Sequence, residues 1–204
     1  MASARYRELE RRLNKLRSRF LPPKFSPTGD YSDRQLDHAR GYRLLVHAEI
    51  EAFLEERAQQ IANMNVKNFQ ADRRPRHLLM SLLSFHLVQG QLNAEDFKEL
   101  FGRSAIYSDE ALNAAQTAYN RALAQNHGIK EHNVLQILLP LGVECKKIDS
   151  GWLSTLDTFG TKRGEVAHKS IKAHQLINPE DEYKTTQILL KGLKDIDDEL
   201  NKIR

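Results

Sequence analysis

An arginine and a histidine separated by four residues, Arg163 and His168, form the pair in this sequence best suited to chemistry. Histidine is the side chain whose ordinary pKa lets it gain or lose a proton near neutral pH. Arginine keeps its positive charge and can hold two phosphate oxygens at once. Together they could cut an RNA phosphodiester without a metal, because histidine would move the proton and arginine would hold the phosphate.

Spacing alone does not select this pair, because two other arginines precede a histidine at a similar distance. In Arg121/His127, the histidine lies where a predicted helix ends before Gly128. A histidine near the negative end of a helix has a sufficient structural explanation. The other pair, Arg40/His47, lies within one long amphipathic stretch, where both are ordinary residues of a helix face.

The surroundings of Arg163 distinguish it from these alternatives. Gly160 and Gly164 weaken a helix at this point in the chain, and they predict a helix start or a kink. At a helix start, Lys162 and Arg163 would oppose the helix macrodipole, a cost that stability alone does not favour. The small residues Gly164 and Ala167 leave room for an anion or a second subunit to approach. The sequence therefore favours a functional site here.

Other catalytic and cofactor patterns are absent from the sequence. It contains neither a zinc-protease helix motif nor a pair of closely spaced cysteines, and Cys145 is its single cysteine. Glycine-rich nucleotide-binding loops and the serine hydrolase elbow are missing as well. The remaining histidines have no partner at a convincing ligand spacing. We therefore expect no metal and no cofactor.

Composition and charge predict a water-soluble protein of one main domain. The 204 residues are 40% hydrophobic, and no apolar run approaches the roughly 18–20 residues of a membrane span. The N-terminus lacks the apolar region of a secretory signal, and a lone cysteine fits a reducing compartment. These features predict a cytoplasmic protein that does not contact a membrane.

The positive charge is concentrated at the N-terminus. Residues 1–24 carry eight arginines and lysines against two glutamates, whereas the net charge of the whole chain is +4. Such arms often contact nucleic-acid phosphates, but they are as often the solvated face of a helix. Both interpretations remain open for this segment.

Apolar periodicity predicts an all-α fold. The basic arm has one apolar seam, which could pack on the body or on a partner arm, and prolines break the chain after it. We divide the chain into a basic arm with its linker, residues 1–28, and a helical domain, residues 29–204. Helices are predicted at about 33–62, 76–88, 94–101, 108–128, 130–139 and 178–203, and a short helix from Ser150 precedes the segment that contains Arg163.

The sequence around both ends of this domain resembles one known family. The first helix, residues 39–54, and the late segment from Leu156 to His168 are similar to the first helix and the motif helix of the RiboL-PSP-HEPN group of the HEPN superfamily. The Arg163/His168 pair matches the R-x4-6-H signature of that superfamily. The similarity covers roughly residues 33–203.

This resemblance implies a HEPN-type helical bundle with extra short helices, which dimerises through its motif helices. It also implies a metal-independent endoribonuclease from a prokaryotic defence, toxin or RNA-repair system, with Arg163 and His168 as the catalytic residues. Lys162 and Lys169 would hold flanking RNA phosphates, and Glu49 is a weak candidate for orienting a motif side chain. A regulatory or inhibitory protein encoded nearby would be a further partner.

Two features of the motif shape the alternatives. Many relatives carry a polar residue directly after the arginine, whereas this chain has Gly164, which favours a catalytically silent RNA-binding or regulatory module. A third alternative is a helical scaffold in which the motif only packs at a dimer interface.

On a helix, residues five apart are separated by about 140° and about 7.5 Å. One copy of Arg163 and His168 therefore makes a poor pocket, and a two-fold dimer could pool two of each.

Overall fold

The structure is a computed structural model that describes residues 1–89, 109–168 and 177–203. These residues form an all-α fold, and no strand occurs among them. The helices are α1 (Ala4–Phe20), α2 (Asp33–Asp72), α3 (His77–Gln89), α4 (Asp109–Ala124), α5 (Glu131–Leu138), α6 (Ser150–His168) and α7 (Pro179–Lys202). Two short 3₁₀ turns, Leu139–Leu141 and Cys145–Lys147, lie between α5 and α6.

The described residues form two compact units. The first unit comprises the described residues within 1–54, 128–133 and 148–198, and the second comprises those within 55–127, 134–147 and 199–203. The first unit contains α1, α6, most of α7 and the N-terminal part of α2. It therefore contains both segments that carry the family resemblance.

In the first unit, α1 packs against α7 through its apolar seam. Tyr6, Leu9, Leu13 and Leu16 are buried. The Tyr6 hydroxyl donates a hydrogen bond of 3.1 Å to the Leu190 carbonyl. Ser3 caps the helix by accepting from the Tyr6 amide, at 3.0 Å. The basic arm is thus a helix of this unit. Its apolar seam packs on the body of the protein rather than on the arm of a partner subunit.

A buried ion pair joins α2 to α7. The guanidinium of Arg43 donates to both carboxylate oxygens of Glu182, at 2.8 and 2.5 Å, and both side chains are less than a tenth exposed. Val46 and Ile50 are completely buried on the same face of α2. Two parallel hydrogen bonds satisfy charges that would be costly to bury unpaired.

Contacts between α6 and α7 complete the first unit. The indole nitrogen of Trp152 donates to the Leu189 carbonyl at 3.1 Å. Gly192 lies directly beneath the indole ring, where a Cβ atom would overlap it. Glycine at this helical position is therefore required for the close approach of the two helices.

In the second unit, α3 and α4 share an apolar core. Leu78, Leu79 and Leu82 are buried, and the rings of Phe85 and Tyr119 meet edge to face at 6.0 Å. The Tyr119 hydroxyl donates to the Ile137 carbonyl at 2.6 Å. The chain turns after Leu141 at Gly142, whose φ of 82° lies in the left-handed region that favours glycine.

Two predicted helix boundaries were wrong. The helix expected to end near Ala62 continues to Asp72, because Val66 and Phe69 remain buried beyond that point. The predicted break before Arg163 does not exist, since α6 is continuous from Ser150 to His168. The short helix predicted at about 94–101 lies outside the described residues.

None of the described helices combines the length and the hydrophobicity that a membrane span requires.

Candidate functional site

Helix α6 carries the Arg163/His168 pair and turns Arg163 towards the core. Its first turn is capped by Asp149, whose carboxylate accepts from the Trp152 amide at 2.6 Å. Leu156 and Phe159, seven and four residues before Arg163, are at most 2% exposed. Residues at this spacing share one helix face, so Arg163 extends the inward face of α6.

Gly160 serves packing rather than helix termination. A Cβ atom at this position would lie 3.3 Å from Lys130 Cγ, closer than most side-chain contacts allow. The expectation that Lys162 and Arg163 begin a helix was therefore wrong. They lie in the C-terminal part of α6, where positive charge does not oppose the macrodipole.

The buried side of Arg163 lies near His47 of α2. The Nε atom of Arg163 is buried and makes no hydrogen bond within the described part of the chain. His47 is only 2% exposed, and its Nδ1 atom is equally without a hydrogen bond there. Burial, the larger cause, and the positive charge of Arg163 together lower the pKa of His47 to about 4.

A carboxylate near His47 does not reverse this effect. Glu51, one turn along α2, places Oε2 3.7 Å from His47 Nδ1, beyond hydrogen-bonding distance. Burial and the charge of Arg163 outweigh this contact, because the net direction of the pKa shift is downward. His47 is consequently a neutral imidazole at physiological pH, adjacent to a permanent cation.

The structure thus couples two of the arginine/histidine candidates that the sequence treated separately. His47 had been interpreted as an ordinary residue of a helix face, but it is electrostatically coupled to Arg163. Its position next to Val46 on the buried side of α2 was the available signal. The alternative histidine His127 is exposed, beyond the end of α4.

The remaining predicted site residues lie on other surfaces of the first unit. Lys162 is exposed and lines a shallow cleft of about 210 Å³ with Thr155, Thr158 and Glu182. Glu49 faces α1, where its carboxylate accepts from Arg12 Nε at 2.7 Å. No hydrogen bond or ion pair joins Glu49 to the motif within the described residues.

Gly164 has open space around it. A Cβ atom there would meet nothing within 4 Å, so a larger residue would fit. His168 is described only through its backbone, as the last residue of α6, and Lys169 lies outside the described residues. The geometry of the site therefore rests on Arg163 and its neighbour His47.

No group of three or more potential metal ligands occurs among the described side chains.

A comparison with protein-family models identifies the family of the chain. The model of the RiboL-PSP-HEPN family matches residues 4–202. The chain belongs to the RiboL-PSP-HEPN family. The match is longer than the resemblance noted in the sequence, because it also includes α1 and the linker after it. HEPN domains are generally associated with ribonuclease activity. The chain has no significant match among curated proteins or among solved structures.

Proposed function

We propose that this RiboL-PSP-HEPN protein is a metal-independent endoribonuclease with Arg163 and His168 as its catalytic residues. The observation that carries the proposal is the position of Arg163. Its guanidinium is near enough to buried His47 to lower the pKa of that histidine, and it lies five residues before His168 on the same helix. A half-buried arginine, which keeps its charge and can hold two phosphate oxygens, is suited to bind a phosphate during cleavage.

The proposed reaction is attack by the RNA 2′-hydroxyl on the adjacent phosphorus. Neutral His168 takes the 2′-hydroxyl proton while the 2′-oxygen bonds to phosphorus. The bond to the 5′-oxygen breaks, and a protonated His168 of the second copy gives that oxygen a proton. Arg163 stabilises the charge on the non-bridging oxygens. The products carry a 2′,3′-cyclic phosphate and a 5′-hydroxyl.

Neighbouring residues have supporting roles in this proposal. Lys162 and Lys169 hold the phosphates that flank the cleaved bond, as point charges. A homodimer formed through α6 supplies the second histidine, because one copy presents only one. The biological setting is prokaryotic defence, toxin action or RNA repair in the cytoplasm, with a nearby-encoded protein as regulator.

The test is cleavage of a fluorescent RNA and its all-deoxy analogue in EDTA. We expect cleavage of RNA only, with cyclic-phosphate ends, because DNA lacks the attacking hydroxyl. Arg163→Ala and His168→Ala should each lower the rate by about 10²-fold or more.

The chain offers a matched control for these substitutions. Arg121 and His127 have the same residue types and nearly the same spacing, and both are exposed on the second unit. Arg121→Ala and His127→Ala should leave the rate unchanged. If RNA is still cleaved at the wild-type rate after each motif substitution, Arg163 and His168 are not the catalytic residues.

A second candidate is a catalytically silent RNA-binding module, which Gly164 favours. The glycine removes the polar side chain that many relatives place next to the arginine. If this candidate is correct, the protein binds RNA in a salt-sensitive manner but leaves it intact. Gly164→Asn, for which there is room, would then be expected to produce cleavage.

A further inference from the structure

The exposed face of α1 carries a row of four positive side chains. Arg7, Arg11, Lys15 and Arg19 follow one another at intervals of four residues, and all four are exposed. Residues at this interval lie on one side of a helix, with about 6 Å of rise between successive members. We call these four residues the basic row.

Ion pairing within the protein does not explain the basic row. Like charges four residues apart on a helix repel each other and destabilise it slightly. None of the four side chains forms an ion pair within the described part of the chain. By contrast, the two arginines on the flank of α1, Arg5 and Arg12, are paired with Glu8 and Glu49.

The row is rigidly mounted, so its spacing is fixed before any ligand binds. The opposite face of α1 is buried through Leu9, Leu13 and Leu16, each at most 4% exposed. Ser3 adds a hydrogen bond from its amide to Asp197 of α7 at 2.7 Å. Side chains on a fixed helix lose less freedom on binding than those on a disordered arm.

A cleft of about 380 Å³ adjoins the row. Arg11 and Lys15 line it together with the two paired arginines and three apolar residues, Leu9, Ala52 and Phe53, of which Leu9 and Phe53 are almost fully buried. The two glutamates that also line it are already bound by arginine. Cations around a cleft of this size suit a nucleotide, whose phosphate is anionic.

We propose that the basic row and this cleft bind the sugar–phosphate backbone of single-stranded RNA outside the bond that is cut. The proposal rests on the proposed function for the choice of RNA among polyanions. The regular spacing of the row fits a ligand with repeated charges, and the cleft fits one unpaired nucleotide. This surface would hold the substrate while Arg163 and His168 act on one phosphate.

The experiment measures binding of a 2′-O-methyl RNA, which cannot be cleaved through its 2′-position. Fluorescence anisotropy is recorded over a range of salt concentrations for wild type and for the quadruple variant Arg7→Gln, Arg11→Gln, Lys15→Gln and Arg19→Gln. We expect affinity to fall at least about tenfold at low salt. The slope of log K against log salt should fall by about 2.8, since each single-strand phosphate contact contributes about 0.7.

A matched variant controls for net charge. Lys67, Arg74, Arg121 and Lys146 are exposed on the second unit, and replacing all four by Gln removes the same charge. This variant should keep the wild-type slope. Equal losses in both variants would show that only net charge matters and would overturn the proposal.

Two further results separate the proposal from its alternatives. Tighter, row-dependent binding to vesicles that contain anionic lipid would overturn RNA as the occupant. Cleavage of ordinary RNA is measured in parallel. If the quadruple variant cleaves and binds RNA as the wild type does, this proposal is wrong but the proposed ribonuclease activity still stands. Row-dependent binding without any cleavage would end the ribonuclease and leave this surface intact.

Discussion

At the scale of single residues, the neutral His47 is the least expected feature of the site. A buried imidazole beside an arginine cannot easily accept a proton, because charging it would cost desolvation and repulsion together. Its pKa of about 4 therefore describes a group fixed in one state during the proposed reaction. His47 is thereby a neighbour of Arg163 rather than a second acid–base group.

The coupling between these residues can be measured directly. In Arg163→Gln, the pKa of His47 should rise, because one of its two lowering causes is removed. It should stay below the ordinary value of 6.5, since burial is the larger cause. Proton NMR titration of the histidine ring gives both values. An unchanged His47 pKa would mean that the two side chains are not close.

The same histidine should make folding stability depend on pH. Its folded pKa lies below the unfolded value, so the unfolded chain binds more protons between about pH 6.5 and 4. Stability is therefore complete above pH 6.5 and is lost as the pH falls, by up to about 3 kcal/mol near and below pH 4.

Urea unfolding of wild type and of His47→Gln at several pH values isolates this contribution. Carboxylates titrate in the same range in both proteins, so only the difference between the two curves reports on His47. That difference should narrow as the pH falls from 6.5 to 4. Parallel curves would contradict a buried, neutral histidine.

At the scale of elements, much of the helix order followed from apolar periodicity. The C-terminal end of α2 and the continuity of α6 through Gly160 did not. Polar residues beyond Ala62 obscure the period, but Asn65 is accommodated inside α2 because its amide donates to the Ile61 carbonyl at 3.1 Å. The helix ends where Arg73 takes a left-handed φ of 55°, two residues before Pro75. A local pattern cannot show that the side-chain amide of a buried asparagine bonds to a carbonyl of its own helix.

The motif was predictable by residue type but its setting was not. Gly160 suggested a break because glycine weakens helices in isolation. In α6 it allows close contact with Lys130, and only the packed structure reveals that contact. The partnership of Arg163 with His47 joins residues 116 positions apart in the chain, so no local spacing could indicate it.

The glycines of α6 and α7 should respond oppositely to substitution by alanine. Gly164→Ala should stabilise the protein by up to about 1 kcal/mol, because it has open space and glycine is a poor helix former. Gly192→Ala should destabilise it by about 2 kcal/mol or more, since the methyl group would overlap the Trp152 ring. Chemical denaturation measures both changes, and stabilisation by Gly192→Ala would contradict the contact between α6 and α7.

The ion pair between α2 and α7 should be essential for the first unit. Glu182→Gln leaves the buried Arg43 charge unmatched, at an expected cost of about 3–5 kcal/mol. Glu180, on the same helix, pairs with Lys184 at an exposed position, and Glu180→Gln should cost less than about 1 kcal/mol. Similar costs for the two variants would argue against burial of the Arg43 pair.

At the scale of the whole molecule, the proposed chemistry requires two copies of the chain. A single α6 offers one histidine, whereas the reaction needs one group to take a proton and another to give one. The 140° between Arg163 and His168 on a helix also prevents them from forming a narrow pocket in one copy. A two-fold axis through α6 would answer both needs.

Mixing experiments distinguish a shared site from two independent ones. The Arg163→Ala/His168→Ala double variant is exchanged with wild type in increasing excess, at saturating RNA and a fixed amount of wild type. If the site is shared, each mixed dimer is inactive, and activity falls in proportion to the wild-type fraction. A fourfold excess should therefore leave about one fifth of the activity. Sedimentation should give a mass of twice the 23.5 kDa chain under the same conditions. Activity that is insensitive to the excess, with exchange verified, would show that each chain cleaves alone and that one histidine suffices.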